Sequence, residues 1–444
     1  MPELMSALPV RTLREAPADA GTPGYAMLLR AGYLRRVPGG HEWSVLGRRL
    51  LDNAARVVAA EVGPARPGGD GVVEARRPPA GSGLLRDPDG LLAQAPGDGH
   101  REAYERALDR LGVDWRLDDD GVFRAAVAGA AEPVATSPDC GWTAGTDAVP
   151  SPTASAPFVQ PPPIELLDTP GTPTIATLAA ALGLPPAATL KNLLVLAGTE
   201  VVAVGVPGDR EVDLDRVAAV LGPVRLFTDA DFAAHPGLVR GYVGPQGLGL
   251  RYLADRRVGL GTGWVTGANA EGRHARNVVA GRDFAVSAYG DLVVVRDGDP
   301  CPRCGQPLRL GTAVAVARLG PVSSVDLTRV VAVAAEQHSD ERGLAWPREL
   351  SPYDVQLVPV GRGDQPGFAR DLGDRLTATG LRVLIDDRDA SAGVKLTDAE
   401  LLGVPHVVVV GRRAAEGVVE VRTRATGATT EVTMDDMIWA VIGQ

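Results

Sequence analysis

Two short stretches of this sequence carry groups suited to chemistry on an ester or a phosphate. Lys191, in TLKNLLV, places a cation at the start of an apolar run, where it can hold a phosphate or stabilise developing negative charge. Taken alone, such a lysine is more often a solvated cation at a strand end. The run Gly267-Ala268-Asn269-Ala270, followed by Gly272, offers backbone N–H groups on a turn whose glycines allow close approach to an oxyanion or a ribose oxygen, though the same run also reads as a plain turn. His274 follows it and can bound a pocket or bind an amine, the plain alternative being a solvated loop imidazole. No Ser or Cys stands with a base at nucleophile spacing here, so the expected chemistry uses water directly, without a covalent intermediate.

The chain has only Cys140, Cys301 and Cys304. This odd, sparse set argues against a disulfide framework and fits a reducing compartment. Cys301-x-x-Cys304 is half of a zinc knuckle and Cys140 a third thiolate, but free thiols are the expectation and no metal is assigned. If Cys140 and Cys301 lie close together, the segment between them is an insertion that leaves and re-enters a core at neighbouring points. The GLGTG run from Gly259 to Gly263 does not open a helix in a βαβ unit and reads as strand and turn. The EQHSD run is expected to cap a helix or face solvent.

The elements that must position these groups follow from periodicity. YAMLLRAGYL and VLGRRLLDNAARVVAAEV are apolar at helical spacing, with RRVPGGHEWS breaking them. GPARPGGDGVVEARRPPAGSG reads as a connector with VVEA a short strand; REAYERALDRLGV is a helix and VFRAAVAG a strand. TDAVPSPTASAPFVQPPP, from Thr146 to Pro163, has the composition of an interdomain linker. From Ile164 to Phe284, strand-like NLLVLAG, EVVAVGVPG and VGLGTGWVTG alternate with helical IATLAAALGL, DLDRVAAVLG and DADFAAHPG, an α+β domain. DLTRVVAVAAEQHSDERGL reads as one long helix. After Pro352 the order strand, helix, strand, helix, strand predicts a small, mainly parallel α/β domain.

Composition sets the outer limits. At 444 residues, two to four domains are expected. A net charge of -10 requires any nucleic-acid partner to be met by a local basic patch. The first thirty residues lack a basic start followed by an apolar core, and no run of eighteen apolar residues occurs, so a soluble cytoplasmic protein with no membrane partner is expected.

Four ordered blocks resemble the bacterial-type prolyl-tRNA synthetases, which are class II enzymes. MLLRAGYLRRVPGGHEWSVLGRRLL resembles the family's opening helices. LLDTPGTPTIATLAAALGLPPAATLKNLLVLAG, with VPGDREVDLDRV, GYVGPQGLGL and WVTGANAEGRHARNVVAGRDF, resembles the inserted editing domain. GDPCPRCGQPL and TRVVAVAAEQHSDERGLAWP resemble the return to the core, and DDRDASAGVKLTDAELLGVPHVVVVG the anticodon-binding domain. The resemblance implies a multidomain α/β and α+β chain. Its parts are a truncated class II synthetase-like antiparallel-sheet core over 1–160 and 290–348, an inserted α+β editing domain over 161–289, and a C-terminal α/β anticodon-binding domain over 349–444.

The resemblance also assigns roles. Lys191, His274, Gly267 and Asn269 fall at the family's catalytic editing positions, with Thr189, Asn192, Asp209, Ala268 and Gly272 contacting substrate and Asp209 placing its α-amino group. Arg388 and Lys395, with Asp386, Asp387, Gly393 and Gly403 of the same pattern, belong to the end that grips the anticodon. Ser137 stands where the family has the first Cys of a second knuckle half. Two departures concern ATP. Between Val62 and Leu84, where motif 1, the proline-binding loop and the first half of motif 2 are expected, there is only the Gly/Pro connector. Motif 3 keeps Arg329, but Ser324 and Asp326 replace its glycines, and a carboxylate beside a nucleotide phosphate is unfavourable. The expected function is hydrolysis in trans of proline tRNA mischarged with alanine or another small amino acid, requiring no cofactor. An aminoacyl transferase of secondary metabolism, an active proline-tRNA ligase and a non-catalytic tRNA-binding paralogue are the alternatives, and a homodimer is left open.

Overall fold

The computed structural model describes residues 1–38, 40–62, 92–97, 99–153, 160–259, 261–361 and 363–442. The chain divides into two compact units, one formed by Met1–Pro133 with Thr312–Gln444 and the other by Val134–Gly311. The segment expected to replace motif 1 and the first half of motif 2, with its VVEA strand, lies outside the described residues. Among the described residues no helix is long and apolar enough to cross a membrane.

In the first unit, helices form where the periodicity placed them, at Pro23–Arg30, Val45–Val62 and Arg101–Arg110. The segment expected to break the first two is itself a hairpin, Leu34–Val37 against Gly40–Trp43. An antiparallel sheet carries Leu92–Pro96, Val322–Asp326, Arg309–Arg318, Val122–Ala125 and Arg116–Leu117 in that spatial order. Helix Leu327–Gln337 follows directly and buries Leu327, Val330, Val331, Val333 and Ala334 against the core. The predicted long helix therefore ends early. At His338 the backbone leaves helical geometry and the ring Nε2 meets the Gly112 carbonyl, while Asp340 accepts the N–H groups of Arg342 and Gly343 and a forked pair from Arg424. Of the same EQHSD run, Glu336 caps Pro23–Arg30 by accepting from Gly24 and Tyr25 N–H.

The C-terminal strand, helix, strand, helix, strand order is present as Val355–Pro359, Gln365–Ala378, Val383–Ile385, Ala392–Leu402 and His406–Val410. These three strands pair in parallel, and Val418–Thr423 and Thr429–Thr433 extend the sheet antiparallel. Its other edge is completed by Glu3–Leu4, parallel to Leu384 and Ile385, a two-residue strand too short for periodicity to reveal.

The second unit holds a five-stranded sheet in the order Val224–Leu226, Leu190–Ala197, Glu200–Pro207, Arg251–Asp255, Ala288–Gly290. A separate three-stranded sheet orders Trp264–Gly267, Arg273–Val278 and Glu165–Asp168. The expected helices stand at Ile175–Leu182, Leu214–Leu221 and Asp229–Ala234, capped by Thr174, Asp213 and Thr228 side chains. The start of the expected linker is packed: Ser151, buried, donates its N–H to Asp291 and its hydroxyl to Asp255.

Candidate active site

Strand Leu190–Ala197 fixes the site because neighbouring residues on a strand project to opposite faces. Leu190 and Leu194 pack into the cluster that contains Tyr252, Trp264 and Ala275, and Asn192 lies between them on that face. Leu193 and Val195 pack into the other cluster, with Val206 and Val217, and Lys191 shares that face. The expected catalytic and substrate-binding residues are thus divided between the two sides of one sheet.

On the first side the residues interlock. The Asn192 amide donates to Thr266 Oγ1 at 2.7 Å and to the Val243 carbonyl at 2.9 Å, and its oxygen accepts from Tyr252 Oη at 2.5 Å. One residue past Thr266, Gly267 lies opposite His274 in the strand register. His274 is buried, with Nδ1 2.7 Å from Thr169 Oγ1 and its ring 5.2 Å from that of Tyr242. Burial holds its pKa below the ordinary imidazole value, so the ring is neutral near pH 7.

Gly267 and Gly244 make the closest approach. A Cβ on Gly244 would stand 1.8 Å from the Gly267 carbonyl oxygen, and one on Gly267 2.2 Å from that of Tyr242. The glycines are needed because two backbones touch here. Asn269, at φ 57°, holds the crossing: Oδ1 accepts from Gly244 N–H, Nδ2 donates to the Gln246 carbonyl, and the Asn269 N–H donates to the Tyr242 carbonyl. The Ala268 N–H donates to Arg273. Two N–H groups expected to face an oxyanion are therefore engaged inside the module. Gly272, at φ 71°, turns the chain so that its carbonyl accepts from Thr169 N–H.

On the second side, Lys191 Nζ lies 3.2 Å from Glu211 Oε2, a largely exposed carboxylate. Asp209 is exposed in the turn after Glu200–Pro207, the strand in which Val206 lies opposite Lys191. Thr189 is buried, donates its hydroxyl to the Pro186 carbonyl, and bridges to Val265. It marks the seam between the two sides.

The remaining predicted residues lie elsewhere. Arg329 meets Glu132 and stands 3.4 Å from Asp326, in the first unit. Arg388 pairs with Asp386 at 2.7 Å and Asp398 at 2.9 Å, and Lys395 is buried with Nζ 3.0 Å from the Asp386 carbonyl. The Sγ atoms of Cys140, Cys301 and Cys304 lie within 4.8 Å of one another. Sequence reasoning missed Thr169, Tyr242, Gly244 and Gln246. Gly244 stands in GYVGPQGLGL, which the resemblance placed in the editing domain without indicating the strand against which it packs.

A family model described as an aminoacyl-tRNA editing domain matches residues 169–284, and one described as an anticodon-binding domain matches 354–443. The chain is 38% identical to the proline-tRNA ligase of Streptomyces coelicolor over 556 aligned positions, covering 98% of each chain. It is 40% identical to that of Streptomyces griseus over 555, again with 98% of each covered, and 39% to that of Salinispora arenicola over 581, with 99% of each. Since this chain has 444 residues, more than a hundred aligned positions of each relative have no counterpart in it. With the editing and anticodon-binding modules in place and the likeness running end to end, the chain belongs to the bacterial prolyl-tRNA synthetase family.

Proposed function

We propose that this chain hydrolyses alanyl-tRNA specific for proline in trans, through its editing module, and does not activate proline with ATP. The observation that carries this reading is Arg329. A guanidinium that is to meet nucleotide phosphate must be available to it, yet here Glu132 and Asp326 both engage it, and Asp326 also caps its helix. The positions missing relative to the ligases support the same reading.

In the module, neutral His274 offers a ring nitrogen to the attacking water, with Thr169 fixing Nδ1. The Gly244–Gly267 crossing brings backbone to the floor of the site, suiting a methyl side chain and excluding a pyrrolidine ring by contact. Lys191 exchanges Glu211 for the phosphate of the terminal nucleotide, and Asp209 on the same edge takes the α-amino group. Asn192, Thr189 and Asn269, whose side chains are bonded within the fold, act by holding the floor in place. Water is the nucleophile, oriented by the vicinal hydroxyl of the tRNA.

Incubation with alanyl- and prolyl-tRNA specific for proline tests this, with loss of alanine alone expected. A chain that leaves alanyl-tRNA intact overturns it. The curated names of the relatives favour a second reading, an active proline-tRNA ligase. ATP–pyrophosphate exchange dependent on proline decides for that reading.

A further inference from the structure

The segments Ser137-Pro138-Asp139-Cys140-Gly141 and Cys301-Pro302-Arg303-Cys304-Gly305 have the same shape. In each, the first residue donates its N–H to the carbonyl five places on, Ser137 to Trp142 and Cys301 to Gln306. In each, the glycine donates back to the first residue, Gly141 to Ser137 and Gly305 to Cys301. The glycines share a left-handed conformation, φ 71° and 75°. The flanking pairs match as well, Thr136 opposite Thr143 and Pro300 opposite Pro307. These are two copies of the hairpin knuckle that presents two ligands to one metal, and they face each other.

The distances suit a metal. Tetrahedral zinc with Zn–S of about 2.3 Å requires thiolate sulfurs about 3.8 Å apart, and a hydroxyl ligand about 3.5 Å from a sulfur. Cys140 Sγ lies 3.8 Å from Cys301 Sγ, and Ser137 Oγ lies 3.4 Å from Cys304 Sγ. The Arg303 N–H points at Cys301 Sγ at 3.4 Å, the backbone support that a thiolate ligand receives in such knuckles.

We propose that Cys140, Cys301 and Cys304 bind one zinc ion as thiolates, with Ser137 at the fourth position. This reverses the expectation of free thiols, which rested on the absence of a fourth cysteine and could not register that Ser137 occupies the place in its knuckle that Cys301 has in the other. Three thiolates favour zinc over hard cations, and their protons leave on binding. The ion ties together two points 161 positions apart in sequence, where the editing module leaves and re-enters the chain around it. It is structural, with no open position for substrate while Ser137 remains bound.

Metal analysis of the full chain, expressed with zinc and purified under reducing conditions, tests the site. About one zinc per chain is expected, falling to a small fraction in Cys304→Ala, whose exposed side chain is removed without opening the core. Cobalt(II) added to metal-free wild-type chain is expected to give thiolate-to-cobalt charge-transfer absorption and tetrahedral d–d bands. Ser137→Cys is expected to keep one zinc and to slow its loss to a chelator roughly tenfold or more. A wild-type chain that stays metal-free after zinc is supplied, a Cys140–Cys301 disulfide under reducing conditions, or iron or copper in place of zinc overturns the proposal. Unchanged loss from Ser137→Cys overturns the part assigned to Ser137.

Discussion

Asp326 holds Arg329 twice: Oδ1 accepts the Arg329 backbone N–H at 3.0 Å, and Oδ2 lies 3.4 Å from the guanidinium Nε. The first contact is a helix N-cap and the second an ion pair, so one carboxylate starts the helix and occupies the cation. Asp326→Ala is expected to lower stability by about 1–2 kcal/mol, the cost of a lost cap, measured by urea unfolding. ATP–pyrophosphate exchange is expected to stay at background in the variant, because Glu132 still engages Arg329. Exchange that rises in Asp326→Ala would show that this carboxylate alone blocks the nucleotide site.

His274 and Thr169 make a second testable pair. His274→Ala is expected to reduce alanyl-tRNA deacylation by about a hundredfold, the lower end of what a proton-transfer group contributes. Thr169→Val keeps the ring but removes the Nδ1 partner, so a smaller fall confined to kcat is expected. Single-turnover deacylation with saturating enzyme reads both, and equal loss in the two variants would mean that Thr169 holds the fold rather than the ring.

The backbone crossing of Gly244 and Gly267 leaves no space for a methyl group. Gly267→Ala drives a Cβ toward the Tyr242 carbonyl, and the neighbours are backbone atoms that cannot rotate away. A loss of about 1–3 kcal/mol or more is expected, seen as a lower unfolding midpoint, together with loss of deacylation. Gly237→Ala is the control: nothing lies within 4 Å of a Cβ built there.

Much of this architecture was legible because it is local. Helices at Val45–Val62 and Leu214–Leu221 and the α/β order after Pro352 follow from apolar spacing and caps. What sequence could not supply was long-range. The Glu3–Leu4 strand exists only because Leu384 and Ile385 offer an edge, and the early end of the helix at Gln337 depends on Gly112 and Arg424, far away in the chain. In the site, TLKNLLV located Lys191 but not the side of the sheet it faces, because that depends on which neighbours form each core. The bonds that engage Asn192 and Asn269 come from Val243, Gly244 and Gln246, segments that no periodicity ties to them.

Arg388 and Lys395 carry the anticodon-domain pattern, yet both are bonded inside the domain. Asp386 is fully buried and its carboxylate accepts from Arg388 through two nitrogens. Arg388→Ala leaves that charge unpaired, and a loss of about 3–5 kcal/mol is expected. Lys395→Ala is expected to lower stability as well, while the slope of log affinity for tRNA against log salt stays unchanged, since a phosphate-binding lysine would shift it by about one. A reduced salt slope in a stable Lys395→Ala chain would place that ammonium on the nucleic acid instead.

Two buried histidines set a pH dependence. His274 is in the editing unit and His406 in the anticodon-binding domain. Burial lowers both pKa values, with Arg348 adding to the effect at His406 and Asp354 opposing it. A histidine whose pKa is lower in the folded state contributes stability that is complete above the unfolded value of about 6.5 and is lost as pH falls from there toward the folded value. Each is expected to lower stability as pH falls from 7 to 5, before carboxylates protonate near and below pH 4. Urea unfolding at the two pH values, in wild type and in His274→Gln and His406→Gln, reads the effect. Each substitution is expected to remove its own share of the acid destabilisation. A wild-type chain equally stable at both pH values, or a loss that survives both substitutions, would mean that the two imidazoles reach solvent.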